Sequence, residues 1–415
     1  MKDHLRIQIA GVLKSLGIPG SIVPSFEKPR DPSHGDLTTN VAMLAAKSIG
    51  LPPGDLAREI AAQLSGADPL VASIEVAGPG FINFRFSAGY YHGIVRRILR
   101  EADAFGRGAS GRGVSAQVEF VSANPTGPLT VGHGRGAVYG DTVSRLLEWT
   151  GYEVTREYYF NNAGRQMRIL GDSVRLRYLE LLGSAGPFPE DYYQGEYIRE
   201  IAARIRDERG DTLAGEPAEG LFRQRAESDI FAGIRGTLGR LGIGFDVFYN
   251  ENTLYESGKV EEILSDLRAR GLIYEQEGAV WFRASALGGE KDKVVVKSTG
   301  EPTYRLPDMA YHREKFRRGF GLIIDVLGAD HVATYPDVIA AMKALEYDTD
   351  RIKILIHQFV TLVRDGEVVK MSTRKANFIT LDELIDEASP DVVRYFFLMR
   401  GIGSHLNFDL KLARE

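Results

Sequence analysis

The stretch at 119–139, EFVSANPTGPLTVGHGRGAVY, constrains the fold more than any other part of the chain. An apolar, strand-like run at 114–121 leads into it and breaks at a loop that contains Pro125 and Pro128. After His133 the apolar residues recur at helical spacing. A strand, a glycine-rich turn and a helix in this order form the first half of a nucleotide-binding βαβ unit.

The turn in this stretch is suited to hold a phosphate. Free backbone N–H groups and the positive end of a helix attract anions, and glycines leave room for a flat base against the backbone. The alternate glycines are Gly132, Gly134 and Gly136, and His133 lies at the mouth of the helix, where its imidazole can donate to a phosphate oxygen. Two structural alternatives stay open: His133 as a helix cap or surface residue, and the glycines as a close contact between strand and helix.

A second stretch, VKMSTRK at 369–375, carries three cations within six positions. The segments TVGH at 130–133 and KMST at 370–373 resemble the H-x-G-H and K-M-S-K-S signatures of class I aminoacyl-tRNA synthetases. The longer segments SANPTGPLTVGHGRGA and KMSTRKANF resemble sequences of the arginyl-tRNA synthetase family, and the resemblance covers essentially the whole chain. It implies an α/β architecture: a Rossmann-like parallel-sheet catalytic domain with a helical insertion, preceded by a small α/β N-terminal tRNA-binding domain.

Composition sets the broad class. A chain of 415 residues with 44% apolar and 26% charged residues is globular and long enough for two or three domains. It has no cysteine, which excludes disulfides and thiolate metal sites and favours the cytoplasm. No apolar run approaches a membrane span, so we expect no membrane partner. The net charge of −5 argues against a protein that coats nucleic acid non-specifically, but it is compatible with a local basic face on one side of the molecule. We expect a monomer.

The resemblance predicts three regions: an N-terminal tRNA-binding domain at 1–108, a catalytic domain at 109–390 with a helical insertion at about 186–243, and at 391–415 the start of a helical C-terminal region. In the family that region continues into a helical domain that reads the anticodon, so we expect a truncated form. The glycine-rich run at 105–113 predicts a hinge. Its G-x-G-x-x-G spacing precedes the strand, so it lacks the context of a dinucleotide site.

In the N-terminal region, apolar periodicity predicts a helix at 37–49 and strands at 74–77 and 81–86. The segments DPSHGDLTTNVA and GPGFINFRF resemble the family's N-terminal extension, which contacts the outer corner of the tRNA. By position, Phe81 can stack on an unpaired base and Asn83 can hydrogen-bond its edge. The structural alternative is a buried Phe81 and a strand-capping Asn83.

Later in the chain, the pattern predicts strands at 152–160, 245–249 and 322–327, a β-ribbon at 279–297 and a hairpin at 359–369. The strand at 322–327 reads as a buried parallel strand, and Gly328 and Asp330 follow at its carboxyl end. Ligands bind at such loops in open α/β sheets. Asp330 is placed to accept from ribose hydroxyls, and its alternative is a loop carboxylate that caps a helix.

The resemblance assigns the nucleotide residues. Catalysis is expected from His133, Thr130, Lys370 and Lys375, with ATP bound by Gly132, Gly134, Gly136, Gly328, Asp330, Met371 and Ser372. Mg²⁺ would be carried by the ATP phosphates, and no metal site of the protein is expected. The chain departs from the family pattern where Thr130 stands for the first histidine of H-x-G-H, where Thr373 stands for the second lysine of K-M-S-K-S, and where Asn162 stands for a common Asp.

The amino-acid pocket must pair a guanidinium, which is always charged and offers five donors in a plane. Only carboxylates in good geometry offset its desolvation. By resemblance, Glu251 and Asp308 carry arginine recognition at strand ends, with Tyr304 one turn before Asp308 to pack on the guanidinium. Asn124 and His331 would hold the α-amino end. The alternative for each carboxylate is ordinary surface exposure.

The leading hypothesis is an arginine–tRNA ligase core, which forms arginyl-adenylate from L-arginine and ATP and transfers the arginyl group to the 3′-terminal ribose of tRNA-Arg. Members of the family need bound tRNA to activate arginine. Two alternatives come from other classes: a catalytically silent tRNA-binding paralogue or fragment, and a small-molecule adenylyltransferase that shares H-x-G-H.

Overall fold

The computed structural model describes residues 1–184, 186–369 and 379–414. The chain divides into two compact units, 1–106 and 107–415. Each unit has a hydrophobic core of its own. A search of the described helices for a membrane-spanning segment finds none of sufficient length and apolar character.

The first unit packs helices on one small antiparallel sheet. Its elements are α1 (Lys2–Ser15), β1 (Leu37–Thr39), α2 (Val41–Ile49), α3 (Pro53–Leu64), β2 (Val71–Ala77), β3 (Phe81–Phe86) and α4 (Ala88–Glu101). β3 is the central strand and pairs with both β1 and β2. The helix predicted across 37–49 is wrong in its first turn, because Leu37 pairs with Phe84 and the two threonines that follow favour a strand.

The second unit carries the larger sheet. Its elements are β4 (Ser115–Glu119), α5 (Val131–Trp149), β5 (Glu153–Phe160), α6 (Gly164–Leu181), α7 (Glu196–Arg209), α8 (Arg223–Arg240), β6 (Val247–Asn250), α9 (Asn252–Glu256), α10 (Lys259–Ala269), β7 (Ile273–Gln276), β8 (Ala279–Phe282), β9 (Lys293–Val296), α11 (Arg305–Arg317), β10 (Leu322–Gly328), α12 (Tyr335–Ala344), β11 (Ile352–His357), β12 (Val360–Arg364), β13 (Glu367–Val368), α13 (Leu381–Ala388), α14 (Pro390–Leu398), β14 (Leu406–Asp409) and α15 (Leu410–Arg414).

Five parallel strands form the main sheet in the order β11-β10-β4-β5-β6. The chain moves outward through β4, β5 and β6 and then returns to the other side of β4 for β10 and β11. The order therefore reverses between β4 and β10, and ligands of such sheets bind beyond the carboxyl ends of the strands at this point. The predicted Rossmann-like α/β fold is confirmed.

Helix α5 lies unusually close to the end of β4. A Cβ atom at Gly140 would come within 2.1 Å of the Phe120 ring, so only glycine permits this approach. Phe120 is fully buried in the main core. The close contact holds the start of α5, and with it His133, beside the switch point.

Two parts of the second unit differ from the sequence prediction. Asp308 was expected at a strand end, but it lies in the first turn of α11, where a preceding proline is tolerated and an acidic side chain complements the helix dipole. The region 391–415 was expected to be helical, but β14 forms there and pairs in parallel with β12. Its alternating residues Leu406 and Phe408 are buried.

A buried lysine joins α11 to the sheet. The Nζ atom of Lys315 lies 2.5 Å from both Glu119 Oε2 and Asp325 Oδ1. These two carboxylates belong to paired positions of β4 and β10. Burial disfavours the charge on Lys315, but attraction to Asp325 and Glu119 outweighs it and holds the pKa of Lys315 above its ordinary value. The same contact holds the pKa of Asp325 below its usual range against the opposing effect of burial.

We expect Lys315→Met to lower the free energy of unfolding by ~3–5 kcal/mol at pH 7, because it leaves buried carboxylates without a cation. The pKa of Asp325 should then rise above that of the unfolded chain. Stability lost through such a group is restored as pH falls, so the deficit should be smaller at pH 5 than at pH 7. Urea unfolding followed by tryptophan fluorescence measures this unit, since both tryptophans, Trp149 and Trp281, lie in it.

The matched control is Lys259→Met. Lys259 pairs with Glu314 at 2.8 Å, but it is partly exposed. Loss of such a pair should cost at most ~1 kcal/mol. A Lys315→Met deficit that is as small as the control's, or equal at both pH values, would contradict the role assigned to the buried lysine.

Candidate active site

A cavity of about 1040 Å³ opens at the carboxyl ends of the main-sheet strands. Its walls come from the loop after β4, the start of α5, the ends of β5 and β6, the first turns of α11, and the segments after β10 and β11. It therefore lies at the switch point that the sheet order defines.

Most of the predicted site residues meet in this cavity. Of the residues predicted to bind the nucleotide, the lining contains Thr130, Gly132, His133, Gly136, Gly328 and Asp330. Of those predicted to bind arginine, it contains Asn124, Glu251, Tyr304, Asp308 and His331. Gly134 is not among the lining residues: a Cβ there would come within 2.7 Å of Leu381 and 2.9 Å of Phe397, so this glycine serves helix packing. Lys370, Met371, Ser372, Thr373 and Lys375 lie outside the described residues.

His133 is held in one tautomer. Its Nδ1 accepts from the backbone N–H of Thr130 at 3.1 Å and lies 3.2 Å from the Thr130 hydroxyl oxygen. A neutral imidazole that accepts at Nδ1 carries its proton on Nε2. Burial and the neighbouring His357 lower the pKa of His133, so the ring is neutral at pH 7. The site thus contains a neutral imidazole with one N–H donor.

The loop after β4 has a strained backbone. Val121 and Ser122 adopt φ values of 67° and 45°, in a region that residues other than glycine rarely adopt and that costs of order 1–3 kcal/mol each. The Ser122 hydroxyl donates to Glu119 at 2.9 Å and accepts from the backbone N–H of Tyr159 at 3.1 Å. These two bonds hold the loop against the end of β5.

Glu251 follows β6 directly and is 7% exposed. One carboxylate oxygen accepts from Asn161 Nδ2 and the other from the Tyr159 hydroxyl, both at 2.8 Å. Burial raises the pKa of Glu251, and the nearby Asp308 raises it further. Burial also raises the pKa of Asp308, to about 6. In the part of the chain that the structure describes, neither acid forms a salt bridge, so this wall is suited to a cationic ligand.

The rim of the cavity is more open. Tyr304 is 73% exposed, and its carbonyl accepts from the backbone N–H of Asp308 at 3.2 Å, which places it one turn before that acid. His331 lies 3.6 Å from Asp330. A Cβ at Gly328 would come within 2.4 Å of the Asp330 carboxylate, so glycine lets this side chain fold back.

Several cavity residues were not predicted from the sequence: Glu119, Tyr159, Asn161, Tyr311, Asp325 and His357. Asn161 follows a strand that the pattern predicted, and the rule that ligands bind at strand ends would have identified it. Tyr311 belongs to a helix that the pattern did not predict, so no sequence signal placed it.

The two predicted tRNA contacts differ in exposure. Phe81 begins β3 and is 38% exposed. Asn83 is only 6% exposed, and its Nδ2 lies 3.4 Å from His34 Nδ1. The ring of Phe81 is therefore available to a ligand, whereas Asn83 is largely enclosed by its own unit.

Comparison with known proteins agrees with this geometry. A family profile described as "Arginyl tRNA synthetase N terminal domain" matches residues 3–86, and one described as "tRNA synthetases class I (R), catalytic domain" matches 95–184 and 196–395. The chain is 53% identical to the arginine–tRNA ligase of Desulfotalea psychrophila, over 94% of this chain and 70% of that protein. It is 51% identical to the arginine–tRNA ligase of Salinibacter ruber, over 100% of this chain and 77% of that protein.

The fold also matches a solved structure. The arginyl-tRNA synthetase of Thermus thermophilus superposes with a TM-score of 0.72 at 20% identity, over 100% of this chain and 78% of that one. The likeness inferred from the two signature stretches is thereby confirmed: the chain belongs to the arginyl-tRNA synthetase family of class I aminoacyl-tRNA synthetases.

Proposed function

We propose that this chain ligates arginine to tRNA: it forms arginyl-adenylate from L-arginine and ATP, then transfers the arginyl group to the 3′-terminal ribose of tRNA-Arg. The observation that carries the proposal is one cavity that joins the start of α5, which is suited to phosphate, to Glu251 and Asp308, two acids that form no salt bridge with any described residue. Membership of the family supports the overall reaction and the use of ATP.

On the nucleotide side, the arginine carboxylate attacks the α-phosphorus of ATP and pyrophosphate leaves. Catalysis of such a step is mostly positioning and neutralisation of phosphate charge. We assign His133 Nε2 and the Thr130 hydroxyl as donors to the phosphates, and Asp330 as the acceptor from the ribose. Lys370 and Lys375, with Met371 and Ser372, are assigned to the opposite side of the triphosphate. Mg²⁺ enters with the nucleotide, because phosphate oxygens bind it directly.

On the amino-acid side, Glu251 and Asp308 would pair the guanidinium. Asn161 and Tyr159 fix the orientation of Glu251 before the ligand arrives, which reduces the cost of ordering the pocket on binding. A bound cation favours the ionised form of both acids and thus opposes the rise in pKa that burial causes. We assign Asn124 and His331 to the α-amino end and Tyr304 to the outer face of the guanidinium.

We also propose that the protein acts as a monomer in the cytoplasm. The absence of cysteine supports a reducing compartment such as the cytoplasm. We assign the N-terminal region at 1–108 to tRNA contact, the catalytic domain to 109–390, and the segment 391–415 to the start of the C-terminal region.

We expect His133→Ala to reduce arginine-dependent ATP–pyrophosphate exchange, measured with tRNA present, by ~10²-fold or more, because a fixed donor to the phosphates is lost. His405→Ala is the matched control: this exposed histidine bonds Thr361 and does not line the cavity. Full exchange by His133→Ala would contradict the role of His133. If another amino acid supported exchange and arginine did not, the assignment of arginine as the substrate would be overturned. If the unmodified chain showed no exchange at all, the result would favour a catalytically silent tRNA-binding protein.

We expect arginine affinity to fall as pH decreases below about 6. Asp308 has a pKa of about 6 in the free protein, so below that value it is increasingly neutral and cannot pair a cation. One proton taken up per site lowers affinity by roughly tenfold per pH unit. Calorimetry with arginine between pH 5 and 7.5 measures this effect.

Two controls accompany this pH series. Asp308→Asn should weaken arginine binding at pH 7.5 by ~2–5 kcal/mol and leave a shallower pH dependence. Citrulline, which has an uncharged ureido group where arginine has the guanidinium, should bind weakly and with little pH dependence. An Asp308→Asn protein with the affinity and the pH profile of the unmodified chain would exclude Asp308 from the pocket.

We expect Phe81→Ala to raise the KM for tRNA in aminoacylation by ~5- to 100-fold, which corresponds to the loss of one base–aromatic stack. Leu51→Ala is the control, since Leu51 is an exposed apolar residue of the same unit. An unchanged KM for tRNA in Phe81→Ala would remove this residue from the tRNA contact.

A further inference from the structure

Arg135 lies two residues after His133 on α5 and is 0% exposed. Its Nη1 donates to the carbonyls of Gln358 at 2.9 Å and Ser404 at 2.8 Å, and its Nη2 donates to the carbonyl of Gly401 at 3.0 Å. Among the residues that the structure describes, no carboxylate lies within ion-pair distance of this guanidinium. Arg135 is thus a buried cation whose hydrogen bonds, among the described residues, all go to backbone carbonyls.

Such a group is expensive to retain. A buried charge without a counter-ion is strongly destabilising, and apolar residues of similar size can often replace buried ions at no cost in stability. Burial lowers the pKa of Arg135, which reflects this penalty. A perturbed charge next to a ligand cleft is a candidate for a functional role.

The three carbonyls belong to two segments beside the nucleotide side of the cavity. Gln358, Phe359 and Val360 line the cavity itself. The segment 401–404 precedes β14, which pairs in parallel with β12 from Val360 onward. β12 continues into β13, the strand that ends just before the segment that contains Lys370. One guanidinium therefore ties the His133 helix to the strand pair from which the cationic segment extends.

A second side chain supports the same contact. The Tyr139 hydroxyl, one turn after Arg135 on α5, donates to the carbonyl of Arg400 at 2.5 Å. The Arg135 guanidinium lies 5.8 Å from the centre of the Tyr139 ring. The backbone N–H of Gln358 donates to the carbonyl of Ile402 at 3.2 Å, which joins the two segments to each other.

We propose that Arg135 is a positioning residue for the nucleotide: it fixes the 358–360 wall relative to His133, and its charge, which no described carboxylate neutralises, adds positive potential behind the triphosphate. This inference rests on the nucleotide site proposed above. Arg135 does not touch the arginine wall, so it should affect the nucleotide and not the amino acid. Its planar shape matters, because the guanidinium spreads its donors over two nitrogens that reach carbonyls of two segments, whereas an ammonium offers its donors from a single atom.

His357 gives an independent readout of the charge. A Cβ at Gly136 would come within 2.9 Å of His357 Nε2, so this ring lies directly beside α5. Burial is the main cause that lowers the pKa of His357, and Arg135 and His331 lower it further. Asp330 and the nearby backbone of Gln358 oppose the shift, and His133 is the remaining titratable neighbour. Removal of the Arg135 charge should therefore raise the pKa of His357.

The test compares Arg135→Lys and Arg135→Met in the full chain. Lysine keeps the positive charge but lacks the planar guanidinium donors, whereas methionine lacks both the charge and the donors. We expect the affinity for α,β-methylene-ATP, measured by calorimetry, to fall ~10-fold with lysine and ~100-fold with methionine. The affinity for arginine should stay within twofold of the unmodified chain. The pKa of His357, measured by NMR, should rise with methionine and stay unchanged with lysine.

The matched control is Arg175→Met. Arg175 donates to the carbonyls of Glu216 at 2.7 Å and Ala214 at 3.1 Å, so it makes the same type of contact away from the cavity. We expect this variant to bind both ligands normally. If Arg175→Met weakened nucleotide binding as much as the Arg135 variants, the specific role of Arg135 would be overturned.

Unchanged nucleotide affinity in Arg135→Lys overturns the proposal, even if the methionine variant does not fold. Equal losses of nucleotide and arginine affinity also overturn it, because a general loss of structure would affect both ligands. Failure of the proposed function is distinguishable: the unmodified chain would then show no arginine-dependent exchange, whereas nucleotide affinity is measured without turnover.

Discussion

The cavity depends on one buried cation. Glu119, the last residue of β4, stands beside Asp325 in the middle of β10, where the strand order reverses. Two adjacent carboxylates at this depth repel each other, and Lys315 neutralises the pair from α11. Because the same helix carries Asp308 in its first turn, the contact that stabilises the switch point also sets the position of one of the two acids proposed to bind arginine. His312, between the two, bonds Asp325 at 2.9 Å and extends the contact.

The cavity is electrostatically polarised. One wall holds Glu251 and Asp308, which form no salt bridge with any residue that the structure describes. The other holds His133 and His357, which burial keeps neutral, with the Arg135 charge behind them. A cationic side chain and a polyanion are thereby drawn to opposite ends of one space. With both substrates bound as proposed, the amino-acid carboxylate would face the α-phosphate, which is the orientation that adenylate formation needs. The placement of charges alone can thus determine which end of the cavity each substrate occupies.

The sequence predicted the parts of the site that depend on local pattern. His133 and Glu251 follow strands with clear apolar runs, so the rule of strand-end binding predicts that both line the cavity, as they do. It did not predict α11, because Lys315 and Arg313 face inward there and hide the apolar periodicity that marks a helix. β14 was missed for another reason: its pairing with β12 joins distant residues. Gly134 shows a third limit, since spacing cannot distinguish a glycine that faces a ligand from one that admits Phe397.

The most direct test of the account is a crystal structure with arginine and α,β-methylene-ATP bound together. The account predicts guanidinium nitrogens at ~2.8 Å from the carboxylates of both Glu251 and Asp308, with the triphosphate beside His133 in the same cavity. A guanidinium bound away from both acids, or a nucleotide bound outside this cavity, would contradict it.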